Sequence, residues 1–478
     1  MFARATTNFV SEIDPSGCLI AVSSLIDSDK LRPLSLIIKR KRFWFWQRPK
    51  YQPSDFTLND VLTADNPITP VVTEREFVTY SESCGDSIQA KAEAKLGPGN
   101  GSIEGKDTCK LKTSFGNLKK CEVDVQKLLR DSKDRVLDLQ HSLIQQTMEK
   151  KNAVFGLVKE FIVTTQPCSV TEEVQEEAGC GVFLNMSKLK RIQVSVTENG
   201  QIQTDVNVSE EIPVNTVLAY SLTELEVKSS GHYELCLLRD TSGGFEVDGP
   251  IVKKGMVGIS CDPVQQSKLP LQEETAGLQT ELRVMRDLPA ATRSSLFQHL
   301  HTLMQDRVAL SKLESIVHGL CLGESPDRVE LDQMLPVLAA EVKLVLTLLE
   351  ESGGAAGPQC QTSASTAVYM LISALDELPD WSLSLLSSCL TSPSLQALLL
   401  LVQGWAEQRR LCVKDSGLNA LADEEVYERV CALFSSCDGA MKREEDSLII
   451  THTHHTHQPL LLYVAITGLA CLGLAPQL

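Results

Sequence analysis

A chain of 478 residues is longer than one ordinary hydrophobic core organises, so two domains are the expectation. Hydrophobic content of 43% and charged content of 22% are globular values, and a formal net charge of −17 argues against a nucleic-acid partner, which would need a basic surface. Fifteen cysteines, none spaced as CxxC or as a zinc site, and a start (MFARATTNFVSEID) with no long apolar run behind basic residues predict reduced thiols, a cytoplasmic location and no metal.

In chain order, residues 1–13 read as a short helix with Phe2, Phe9, Val10 and Ile13 on its apolar side. Strict alternation follows in Ile88–Leu96, where Ile88, Ala90, Ala92, Ala94 and Leu96 are separated by Gln89, Lys91, Glu93 and Lys95. After the Gly-rich turn GPGNGSIEGKD the alternation resumes through Cys109, Leu111, Thr113 and Phe115. Period two means a strand with one apolar and one polar face. Residues 122–151 are helical in composition and spacing. Ile192, Val194 and Val196, then Ile202, Val206 and Val208, flank Asn199-Gly200, which predicts a β-hairpin.

Around TSGGFEVDGPIVKKG (241–255) the pattern breaks, and Gly243, Gly244, Gly249, Pro250 and Gly255 predict a flexible linker. Beyond about residue 270 the texture is Leu-rich with helical periodicity. The fold class is therefore an α+β N-terminal domain, with a twisted antiparallel sheet and amphipathic hairpins, followed by an all-α C-terminal domain. Residues 1–248 hold 29 Lys and Arg against 35 Asp and Glu, and residues 249–478 hold 16 against 27, so most of the excess acid lies in the second part. THTHHTH (451–457) reads as a repetitive loop insertion, because no Cys or carboxylate stands at ligand spacing. PLLLYVAITGLACLGLA (459–475) is short of the ~20 residues that span a bilayer and reads as a buried final helix.

The most unusual stretch is residues 31–54, with seven basic residues and no acid. Lys39, Arg40, Lys41 and Arg42 abut Phe43, Trp44, Phe45 and Trp46, and Arg48, Lys50 and Tyr51 follow. Cations attract anionic headgroups at ~1 kcal/mol each, and Trp and Phe seat at the membrane interface. The competing reading is a strand–loop–strand whose aromatics are core. RNA binding through the same residue types is disfavoured by the net charge. The amphipathic strands either pack on a soluble core or line a barrel wall, which takes ~9–11 residues per strand and many copies closed into a ring. FEVD (Phe245, Glu246, Val247, Asp248) before Gly249 suits a caspase, and Asp262 is a poorer site because Pro263 follows. No motif or constellation for an enzyme or a cofactor site is present.

MFARATTNFVSEIDPSGCLIAVSSLIDSDKLRPLSL, KRFWFWQRPKY and LLRDTSGGFE, with YMLISALDELPD and the final apolar helix more weakly, resemble the gasdermin family. The resemblance implies a pore-forming domain over 1–240, a protease-sensitive linker over 241–268 and an autoinhibitory helical domain over 269–478. It implies executioner or inflammatory caspases as activators, cutting between Asp248 and Gly249. The freed fragment would bind acidic phospholipids at the plasma membrane, form a homo-oligomer and open a β-barrel pore, giving lytic cell death. On this reading Arg4, Lys39, Arg40, Lys41, Arg42, Arg48 and Lys50 bind lipid and Phe43–Trp46 form the membrane anchor. The membrane hairpins map to roughly 80–125 and 155–220. FEVD departs from the DxxD motif usual in the nearest part of the family, and Phe245 suits inflammatory caspases better. Cys180, in EEAGCGVF at the expected tip of the second hairpin, is either a free thiol or an acylation site. The alternative function is a soluble two-domain adaptor whose linker is only a turnover site.

Overall fold

A computed structural model describes residues 1–64, 66–92, 103–150, 152–177, 192–196, 202–238, 241–246, 271–322, 336–354, 358–412, 415–444, 447–452 and 456–474. The chain forms two compact units. The first comprises Met1–Arg42 and Pro49–Pro263, and the second comprises Phe43–Arg48 and Val264–Leu478.

The first unit is built on a sheet of twelve strands among the described residues. Helix α1 (Phe2–Ile13) opens it, and Phe2, Ala5, Phe9 and Val10 recur at helical spacing on its buried face. Strands β1 (Ile20–Ala21), β2 (Ser35–Arg40) and β3 (Lys50–Thr57) flank helix α2 (Leu25–Lys30). The long strands β4 (Val72–Ala92) and β5 (Ile103–Val123) pair antiparallel from Val72↔Val123 to Ala92↔Ile103. They exceed the expected strands because β4 residues 73–79 are exposed and carry no period-two signal. Backbone hydrogen bonds to β5, not burial, hold that part of β4 extended. In β5 the expected alternation is present, with Leu111, Thr113 and Phe115 buried and Lys112 and Ser114 exposed.

The helix expected over 122–151 is two helices, α3 (Val125–Ser132) and α4 (Ser142–Glu149). Between them Asp134 takes a φ of 62°, Val136 bridges to His232, and Leu137 bridges to Leu62 while its N–H donates to Gly231 O. Those distant backbone partners override a good local helix propensity. Strand β6 (Ala153–Thr164) is buried along most of its length and touches both cores of the unit. Its apolar run lacks alternation because each face of a central strand is covered. Strands β7 (Cys168–Glu177), β8 (Ile192–Val196), β9 (Ile202–Ile212) and β10 (Val217–Val227) continue the sheet. The register Val196↔Ile202 puts Asn199-Gly200 in the connection, as the hairpin pattern predicted, although 197–201 lie outside the described residues. Short strands β11 (Tyr233–Leu235) and β12 (Gly244–Phe245) both pair with β10.

The second unit is mostly helical. Its helices are α5 (Leu271–Arg283), α6 (Ala290–Leu303), α7 (Arg307–Cys321), α8 (Pro336–Gly354), α9 (Pro358–Glu377), α10 (Asp380–Ser388), α11 (Ser392–Ala406), α12 (Glu424–Ser435) and α13 (Gln458–Gly473). Every residue from Pro459 to Leu472 is buried, so α13 is the expected buried final helix, apolar all round because neighbours cover it all round. No described helix is long and apolar enough to cross a membrane. The all-α expectation needs one correction, a small sheet of β13 (Leu411–Cys412), β14 (Gly439–Glu444) and β15 (Ser447–His452). Only Leu448 and Ile450 of β15 turn inward, too short a pattern to stand out in sequence.

Candidate functional site

The β2–β3 hairpin gathers the basic residues. Lys39 lies opposite Tyr51 and Arg40 opposite Lys50. Lys39 Nζ is 2.5 Å from Glu224 Oε1, and Glu224 Oε2 accepts the Gly243 N–H at 2.8 Å. Burial, and then the Glu224 charge, push the Tyr51 hydroxyl above its ordinary range against the opposing effect of Arg42. Lys41 and Arg42 are exposed, and Arg40 and Lys50 are half-buried. Arg4 on α1 reaches Glu172 at 3.4 Å, with the guanidinium partly exposed and the carboxylate buried.

The aromatic residues lie elsewhere. Phe43–Arg48 stands between β2 and β3 in the chain, yet it belongs to the helical unit. Trp46 is 5% exposed and joins that unit's hydrophobic cluster, with its Nε1–H donating to Ser373 Oγ at 3.3 Å. Trp44 stacks on Trp46 with ring centroids 5.2 Å apart and planes 4° from parallel. Phe43 meets Tyr369 edge-on at 5.3 Å and His318 at 5.8 Å, while His318 itself stacks on Tyr369. Phe45 meets His457 at 5.5 Å. Trp44 Nε1 is buried and finds no acceptor among the described residues.

Gln47 ties the segment down. Its Oε1 accepts from Phe43 N at 2.8 Å and Trp44 N at 2.9 Å, closing a tight turn. Its Nε2 donates to Glu314 Oε1 at 3.0 Å and to Tyr369 Oη at 2.7 Å. The Arg48 N–H donates to Glu377 Oε1 at 2.8 Å, and its guanidinium lies 3.7 Å from Glu377 Oε2. Of the expected anchor, Trp46 is core of the helical unit, and Phe43, Trp44 and Phe45 pack half-buried against that core, as in the competing reading of these residues. Gln47, Glu314, Tyr369, Ser373 and Glu377 went unremarked in the sequence. A glutamine inside an aromatic run has no motif, and its helical partners are more than 250 positions away.

Of the cleavage motif, Phe245 and Glu246 are described, and Val247, Asp248 and Gly249 lie outside the described residues. The expected linker begins as structure. Gly244 and Phe245 form β12, parallel to Glu226–Val227 of β10, and Glu246 N donates to Val227 O at 2.8 Å. The Phe245 ring lies 5.5 Å from that of Phe155, and Glu246 Oε2 accepts from Ser229 N at 3.1 Å. Cys180 lies outside the described residues. Ten of the cysteines among the described residues stand outside any disulfide, with Cys18 and Cys412 exposed. Burial pushes the Cys321 thiol up to about 12. His454 and His455 of the histidine run lie outside the described residues, and no described group of three His, Cys, Asp or Glu could hold a metal.

The family profile described as the gasdermin pore forming domain matches residues 1–247, and that of the gasdermin PUB domain matches residues 269–448. Gasdermin-E of Equus caballus is 36% identical over 501 residues, covering 99% of each chain. Gasdermin-E of Mus musculus is 34% identical over 503 residues, covering 99% of this chain and 97% of its own. Among solved structures, a chain of the gasdermin A3 membrane pore aligns with 50% of this chain and 96% of its own, at 20% identity and a TM-score of 0.35. On the family profiles and the full-length relatives, the chain belongs to the gasdermin family of pore-forming cell-death proteins.

Proposed function

We propose that this chain is a latent pore former whose helical part, 269–478, restrains its N-terminal part by holding the membrane-docking segment. The observation that carries this reading is the packing of Phe43, Trp44 and Phe45 against the helical unit's hydrophobic cluster, with Trp46 and Gln47 buried in it. Tryptophans stacked in a core cannot seat in a lipid interface. The indole N–H of Trp44, without an acceptor among the described residues, finds acceptors at a membrane–water boundary, where amphipathic rings concentrate.

Caspase cleavage after Asp248 separates the two parts. The fragment then presents Lys39–Arg42, Arg48 and Lys50 beside Phe43–Trp46, binds acidic phospholipids and oligomerises. The β4–β5 and β7–β9 regions line a β-barrel, because every backbone polar group in lipid needs a partner and a closed barrel supplies it. Strands of 21 residues exceed the ~9–11 a span requires. The test is dye release from phosphatidylserine-containing vesicles. Cleaved protein is expected to leak them and uncut protein to leave them sealed; equal leakage before and after cleavage refutes the restraint.

A further inference from the structure

We infer that Gln47 is the residue by which the helical unit recognises the aromatic segment, and that its side-chain amide is required because the group receiving it is a buried carboxylate. The inference rests on the latent-pore reading above and adds to it a specificity-determining pair, Gln47 and Glu314.

A primary amide has two donor hydrogens and an acceptor oxygen with two lone pairs. Here all four are used. Two main-chain N–H groups, those of Phe43 and Trp44, fill the oxygen. Glu314 Oε1 and Tyr369 Oη take the two hydrogens. Tyr369 in turn donates to the same Glu314 oxygen at 3.1 Å, so the three side chains form a closed triangle. The orientation of the amide follows from chemistry. Turned over, it would set its NH₂ against two N–H donors and its oxygen against a carboxylate.

Burial makes the pair selective. Glu314 is 1% exposed, Tyr369 0% and Gln47 6%. An acceptor or a second acid set against this buried carboxylate is costly, so the contact favours a segment that brings a donor to Glu314 and Tyr369. The apolar contacts of Phe43, Trp44 and Trp46 with the hydrophobic cluster would accept many apolar segments. The amide discriminates, since it organises the turn through its oxygen and reads the helices through its nitrogen.

Gln47→Glu tests this with little change of shape. It keeps the acceptor for Phe43 and Trp44, removes both donors, and places a second acid about one hydrogen-bond length from Glu314. Like charges set together in a buried contact are strongly unfavourable, so docking should weaken by about a hundredfold or more. The reversed pair, Gln47→Glu with Glu314→Gln, returns one donor and one carboxylate to the contact with their places exchanged.

Two readouts on the uncut full-length chain are needed. Acrylamide quenching of tryptophan fluorescence reports release of Trp44 and Trp46 without any membrane. Dye release from phosphatidylserine-containing vesicles reports pore formation. Gln47→Glu alone should raise both, and the reversed pair should bring both back to near wild type. Should Gln47→Glu not fold, recovery of the fold in the reversed pair is the supporting result. Quenching and leakage as low as wild type in Gln47→Glu overturn the inference, as does a reversed pair no better than the single variant. Cleaved wild type that fails to leak vesicles, with the quenching pattern intact, sinks the latent-pore reading and leaves the recognition pair standing.

Discussion

At the scale of single residues, one stretch carries two chemistries that belong to different units. The cations Lys39–Arg42 sit with the sheet, and the aromatics that follow sit among helices. The two should therefore fail differently. Replacing Lys39, Arg40, Lys41 and Arg42 by Glu in the cleaved fragment should weaken binding to anionic vesicles by more than about 4 kcal/mol, since each basic residue contributes about 1 kcal/mol. The uncut fourfold variant should lose stability, because Lys39→Glu sets a second acid beside Glu224, whereas Lys41→Glu with Arg42→Glu, at exposed positions, should melt nearly as wild type. Trp46→Ala should instead destabilise the uncut chain by about 3–5 kcal/mol, the range for a buried aromatic truncated to Ala. Calorimetry of the uncut variants beside vesicle co-sedimentation of the cleaved ones separates the cases. Thiol chemistry should divide by burial in the same way. Among the described cysteines, Cys18 and Cys412 should react with maleimide in the native chain, whereas the buried Cys437 and Cys471 should react only on unfolding.

At the scale of elements, β12 holds part of the cleavage motif to the sheet. A caspase must draw the residues before its cut into an extended strand of its own, so Phe245 and Glu246 must first leave β10, Phe155 and Ser229. A synthetic peptide spanning 243–252 should accordingly be cut after Asp248 about tenfold faster than the intact chain, since two or three backbone hydrogen bonds at about 0.5–1.5 kcal/mol each hold the strand. Equal rates of cleavage would rule out any protection by β12. The final helix makes a second case. A Cβ on Gly468 would lie 2.8 Å from the Leu371 side chain on α9. Gly468→Val should therefore overpack the helical unit and destabilise it by about 1–3 kcal/mol, visible as a lower melting temperature.

At the scale of the whole molecule, charge bounds the mechanism. The full chain carries −17, and residues 1–248 alone still carry an excess of acid, 35 against 29. Separation thus lessens repulsion from an anionic membrane without reversing it. On the proposed function docking comes from local charge, and residues 31–54 hold seven cations and no acid. Residues 1–248 produced alone should leak anionic vesicles, and their binding should fall as salt rises from 0.1 M, where the screening length is about 10 Å, towards 1 M, where it is about 3 Å. Leakage indifferent to salt and to lipid charge would point to apolar insertion alone.

The sequence by itself determined the local features. Apolar spacing marked α1, the alternation in β5 marked one amphipathic strand, Asn199-Gly200 marked the hairpin joining β8 and β9, and an apolar run too short for a bilayer marked the buried α13. Each depends on a period or a turn confined to neighbouring residues. Tertiary structure decided what depends on partners far along the chain. It broke the 122–151 helix by offering Val136 and Leu137 backbone partners at His232, Gly231 and Leu62. It extended β4 through exposed residues because β5 supplied the hydrogen bonds. It turned the start of an expected linker into a strand, and it set Phe43–Arg48 among helices whose residues lie more than 250 positions downstream. An aromatic run states that its rings will leave water; which apolar surroundings receive them depends on whether a matching set of side chains, here Glu314, Tyr369 and Ser373, has been folded into place to satisfy the polar atoms that travel with them.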